Sequence, residues 1–121
     1  MASAARYITL SDGPFILNFL IPEKLFKLKL PSGFSVDRTP AVLFFKLNAS
    51  ELDDFELRVW IGHSGIQVLE KTLNGDYYQT IHELIGDPGL VGNDNDLAFQ
   101  YLGGDGTLKI SDVFILLQGE V

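Results

Sequence analysis

Apolar and polar residues alternate with a period of two along most of this chain, and that pattern narrows its possible folds more than any other feature. Phe26, Leu28 and Leu30 alternate with Leu25, Lys27 and Lys29, and Phe55, Leu57, Val59 and Ile61 alternate with Glu56, Arg58 and Trp60. Successive strand side chains point to opposite faces, so each run reads as a half-buried β-strand. Between the runs lie turn-forming clusters: Ser11-Asp12-Gly13-Pro14, Pro31-Ser32-Gly33, Asp37-Arg38-Thr39-Pro40, Gly62-His63-Ser64-Gly65, Asn74-Gly75-Asp76, Gly86-Asp87-Pro88-Gly89 and Gly103-Gly104-Asp105-Gly106. A turn roughly every ten residues is the punctuation of an antiparallel sandwich or barrel. The pattern predicts strands over 6–10, 14–20, 23–30, 41–48, 54–61, 65–73, 76–83, 97–102 and 107–117. Ile81, Leu84 and Ile85 also fit helical spacing, whereas Tyr77, Tyr78 and Thr80 favour a strand, so a strand ending in one helical turn is expected there. The expected class is all-β, an antiparallel β-sandwich of eight or nine strands with at most one short helical turn.

A length of 121 residues with 46% hydrophobic residues supports one core, and no linker or repeat divides the chain, so residues 1–121 are expected to form a single domain. Nine basic against sixteen acidic residues leave a net charge of −7, which repels phosphate backbones and argues against a nucleic-acid partner. The absence of cysteine removes disulfides, thiolate catalysis and Cys-based zinc sites. Met1-Ala2-Ser3-Ala4-Ala5-Arg6 lacks the apolar run of a leader, and nothing reaches the roughly 18 apolar residues of a membrane span. The chain is therefore expected to be made as a soluble cytoplasmic protein, with release by a route lacking a cleaved leader left open, and without membrane insertion.

From Asp54 onward, strands and a Tyr-rich segment lead to the loop Gly92-Asn93-Asp94-Asn95-Asp96 and the strand Leu97-Ala98-Phe99-Gln100-Tyr101. A glycine turn and the step Leu108-x-Ile110-Ser111-Asp112-Val113 follow. This order resembles the galactose-binding-domain-like jelly rolls of carbohydrate-binding modules and lectin-like proteins; the first 50 residues carry no matching motif. The resemblance implies a jelly-roll sandwich, in some members a structural calcium, and a sugar site on end loops or a concave face. Members of the fold also act as structural or protein-binding modules. The stretch from Gly86 to Phe99 is locally similar to calcium-dependent galactose-binding bacterial lectins.

Several residues are candidates for chemistry. Asp112 shares strand parity with Leu108, Ile110, Phe114 and Leu116, so without a bulge its carboxylate points among apolar neighbours and needs a cation, backbone donors or an arginine. The resemblance places a calcium ligand near this position. Asp87, Asn93, Asp94, Asn95 and Asp96 concentrate oxygen donors of the kind Ca²⁺ takes, although the spacing is not an EF-hand and suits a plain turn better. Trp60 falls on the polar side of its strand, where an indole offers a flat surface for a sugar ring, a protein partner or a covering loop.

His63, Tyr77 and Tyr78 complete the expected ligand set, with Asn93 and Asn95. His82-Glu83 starts like a zinc-protease helix, but Gly86 occupies the position of the second histidine. No Gly-x-Ser-x-Gly elbow or other nucleophile arrangement is present, so no catalysis is expected.

The expected function is non-catalytic, lectin-like glycan binding assisted by calcium. The alternative is an assembly subunit, because Val42-Leu43-Phe44-Phe45 and Val113-Phe114-Ile115-Leu116-Leu117 are apolar on both strand faces and imply a covering partner, either another copy or a larger protein assembly.

Overall fold

The computed structural model describes residues 3–11, 13–30, 34–36, 40–62, 66–86 and 96–120, and these form eight strands without a helix. They are β1 (Ser3–Ser11), β2 (Phe15–Leu17), β3 (Glu23–Lys27), β4 (Ser35–Val36), β5 (Ala41–Ile61), β6 (Ile66–Ile85), β7 (Asp96–Asp105) and β8 (Leu108–Glu120). All pairings are antiparallel. The predicted turn clusters at 31–33, 37–39, 63–65 and 87–89 lie outside the described residues.

The central element is one long hairpin. β5 and β6 pair from Ala41 opposite Ile85 to Ile61 opposite Ile66, so the predicted strands 41–48 and 54–61 are one strand, and 65–73 and 76–83 are another. The hairpin bends at residues 50–54, where Glu51 (φ 56°) and Asp54 (φ 47°) adopt left-handed backbone and the register shifts twice. Each bulge adds a residue and preserves the inward direction. The buried series therefore runs Ala41, Leu43, Phe45, Leu47, Ala49, then Leu52, then Phe55, Leu57, Val59, Ile61, none more than 5% exposed.

The bend creates two layers. The first half of β5 pairs with β8, from Val42 opposite Leu116 to Asn48 opposite Lys109, and β1 flanks β8 on its other side. The second half pairs with β7, from Leu57 opposite Tyr101 to Ile61 opposite Leu97, and β3 flanks β7. β6 borders β5 in both layers. Phe99 sits opposite Val59, yet its ring also meets that of Phe45 at 5.2 Å. A straight strand would separate positions 45 and 59 by roughly 45 Å, so the contact requires the layers to face each other. Phe15 on Phe26, 5.4 Å between centroids, is a second bridge across the core.

Smaller departures from the predicted elements have local causes. The helical turn expected near Ile85 is absent: Ile81 and Ile85 both point inward, and pairing with β5 carries the strand to its end. β2 stops at Leu17 because Asn18 Oδ1 accepts hydrogen bonds from the N–H groups of Leu20 and Ile21, each at 2.9 Å, turning the chain. At the end of β7, Gly104 (φ 92°) packs its Cα against the Asp54 carbonyl, and the Tyr101 hydroxyl donates to the Gly104 carbonyl.

Candidate functional site

Outward-facing residues of the first layer form cross-strand rows: Asn48 beside Tyr78, Lys46 beside Thr80, Phe44 beside His82, and Val42 beside Leu84. β8 contributes the other flank, but its parity changes midway. Leu108 and Ile110 are buried below the change, and Val113, Ile115 and Leu117 above it. The switch occurs at Asp112, whose φ of 51° marks a bulge, and the β5 register slips between Phe44 opposite Phe114 and Lys46 opposite Ser111. This corrects the expectation that Asp112 points into the apolar interior. Its carboxylate is 44% exposed and lies 3.3 Å from Lys46 Nζ. An ion pair this open contributes about 0–1 kcal/mol to stability, so it shapes a surface more than it holds the fold.

Beside Lys46 runs a groove of about 320 Å³ lined by Lys46, Leu47, Asn48, Tyr78, Gln79, Thr80 and Ser111. Tyr78 is 67% exposed, and its hydroxyl shares a 2.7 Å hydrogen bond with Ser50 Oγ, which fixes the ring at the rim. The lining residues thus combine an exposed aromatic ring with an ammonium, two carboxamides and the hydroxyls of Thr80 and Ser111.

Beside the groove an aromatic row crosses the strands. Phe44 and Phe114 stack at 4.7 Å with 14° between their planes, His82 meets Phe44 edge-on at 4.6 Å, and Tyr7 meets Phe114 edge-on at 5.4 Å. The outward apolar residues therefore shield one another, which accounts for much of the two-sided apolar pattern of β5 and β8. The row ends in the open side chains of Tyr7, 63% exposed, and His82, and Leu84, 65% exposed, stands beyond it opposite Val42.

Of the residues expected to form one ligand site, the described ones do not share one face: Trp60 and Tyr78 lie on different layers. Trp60 does face outward, but on the second layer, opposite Ala98 and Gln67 and half-buried. Its Nε1, like the Nε of Arg58 on the same face, is buried without a hydrogen-bond partner among the described residues. Tyr77 is half-buried and packs against the core, its hydroxyl accepting the Asn74 N–H at 3.2 Å, so it faces the other way from Tyr78. Asp96 opens β7 opposite Lys27, and its carbonyl accepts the Gly62 N–H at 3.0 Å. His63, Asp87, Asn93, Asp94 and Asn95 lie outside the described residues. Among the described residues no three histidine or acidic side chains converge as a metal site. Lys46, Asn48, Thr80 and Ser111 escaped the sequence reading because their nearness depends on which strands pair. Their outward parity alone was visible.

Two facing antiparallel layers wrapped by a common hairpin define a β-sandwich of the jelly-roll class found among carbohydrate-binding modules. Two solved structures share this fold. One is a mutant of a family 29 carbohydrate binding module studied for the mechanism of ligand recognition, with a TM-score of 0.53 and 15% identity over 92% of this chain and 90% of that chain. The other is a second mutant of a family 29 module, with a TM-score of 0.51 and 11% identity over 92% and 91% of the two chains. No family model matches the chain, and no curated protein matches it in sequence.

Proposed function

We propose that this protein is a non-catalytic carbohydrate-binding module whose glycan site is the groove at Lys46, Asn48, Tyr78, Thr80 and Ser111. Sugars present C–H faces that pack on aromatic rings and hydroxyls that need directional partners in both hydrogen-bonding senses. The observation that carries the reading is the pinned, open ring of Tyr78 beside a polar groove on a fold shared with carbohydrate-binding modules. A glycan array identifies the ligand, and calorimetry on the best hit measures the site. Tyr78→Ala is expected to weaken binding at least tenfold, about 1.4 kcal/mol, with little loss of stability because the side chain is exposed. A silent array, or a variant binding as tightly as the parent, rejects the proposal.

Calcium assistance belongs to the same reading, with Asp87, Asn93, Asp94, Asn95 and Asp96 as the oxygen-rich segment that would hold the ion. Asp112 faces the ammonium of Lys46 and is left out of this segment. An ion bound only by the folded state raises stability by about 2.7 kcal/mol at a hundred times its dissociation constant. Millimolar calcium is accordingly expected to raise the melting temperature, and chelator to reverse the rise. An unchanged melting curve assigns the segment to a turn.

A further inference from the structure

We infer that the free edge of β6 in the first layer, residues 77–85, is a self-association surface that pairs antiparallel with the same segment of a second copy. Among the described residues β6 forms a ladder only with β5, so its outer row of N–H and C=O groups has no strand partner. An open edge of that kind is a template for another strand unless charges guard it. The second layer is guarded: β3 carries Glu23, Lys24 and Lys27, and the first part of β6 carries Glu70 and Lys71. The segment Tyr77-Tyr78-Gln79-Thr80-Ile81-His82-Glu83-Leu84-Ile85 holds one carboxylate and no lysine, arginine or proline, and is rich in residues that favour strands.

The partner is a second copy because one register makes the segment complementary to itself. With a two-fold axis at Ile81, Tyr78 of each copy lies opposite Leu84 of the other, Thr80 opposite His82, and Gln79 opposite Glu83. The two large hydrophobic side chains that this edge exposes, Tyr78 at 67% and Leu84 at 65%, then become cross-strand neighbours. The single acid meets an amide and no like charges face. Moving the axis to Thr80 sets Leu84 opposite Asp76, and moving it to His82 sets Tyr78 opposite Gly86, so the match is lost in both directions. Pairing at Ile81 sets the two grooves side by side across the new ladder, since Tyr78 and Thr80 line them.

Sedimentation of the ligand-free protein tests this without depending on any glycan. The parent chain is expected to sediment at twice 13.4 kDa in a concentration-dependent manner, and Leu84→Lys to weaken dimerisation at least tenfold while keeping the parent's dichroism spectrum. The native chain has no cysteine, so introduced thiols report the register directly. A mixture of Thr80→Cys and His82→Cys is expected to give a mixed disulfide under mild oxidation, with neither variant linking to itself, because directly opposed residues come within disulfide reach. A parent that stays monomeric, or a dimer that survives Leu84→Lys and forms no mixed disulfide, overturns the inference.

Discussion

Gly104→Ala is expected to lower the melting temperature by about 10 °C or more, a large effect for one added methyl group. Two penalties combine at this position. The backbone has φ 92°, where an L side chain is strained by roughly 1–2 kcal/mol. The added Cβ would also overlap the Asp54 carbonyl and crowd the Phe55 Cα, both backbone atoms of the bent segment of β5, adding about 1–3 kcal/mol of overpacking. Gly75→Ala separates the two terms, because Gly75 has φ 86° but open space around its Cα, so only the first penalty applies. Calorimetric unfolding of both variants checks the difference. Equal losses at the two glycines would show that the close approach of β7 to the bend contributes nothing.

Phe99→Ala is expected to cost about 3–5 kcal/mol, read as a fall in the urea midpoint at unchanged slope. The ring is fully buried and touches Phe45, Phe15 and Phe26 at 5.2, 5.5 and 6.1 Å, so one truncation removes contacts to both layers. Phe114→Ala is the comparison, since that ring lies on the outer face and stacks on Phe44. A smaller loss is expected there, because solvent can occupy the space. A Phe99 variant as stable as the Phe114 variant would contradict the face-to-face packing.

The sandwich was legible because alternation is a local property, and inward residues such as Phe55, Leu57, Val59 and Ile61 keep their parity wherever the strand goes. Trp60 was placed on the correct face for the same reason. The bend was not legible. Its left-handed residues are Glu51 and Asp54, and neither glycine nor proline marks them. What stabilises them comes from the neighbouring strand: Asp76 Oδ1 accepts the Glu51 N–H at 2.9 Å, and Asn74 Oδ1 accepts the Asp54 N–H at 2.8 Å. Asn74-Gly75-Asp76 has the composition of a chain-reversing turn, yet these residues stay within β6 and clasp the bend of β5. The side-chain partners that decide this are far apart in sequence. The turn of Asp112 to the surface was hidden for the same reason, because an aspartate bulge breaks alternation without altering composition. Of the groove only Tyr78 was legible, as the rest needs Ser111 of β8 and Thr80 of β6 to flank Lys46 of β5.

The hairpin common to both layers carries a further consequence. Each wall of the sandwich owns only half of β5 and half of β6, so neither wall can be peeled away without tearing strands that the other still needs. The two walls therefore stand or dissolve together through continuous backbone.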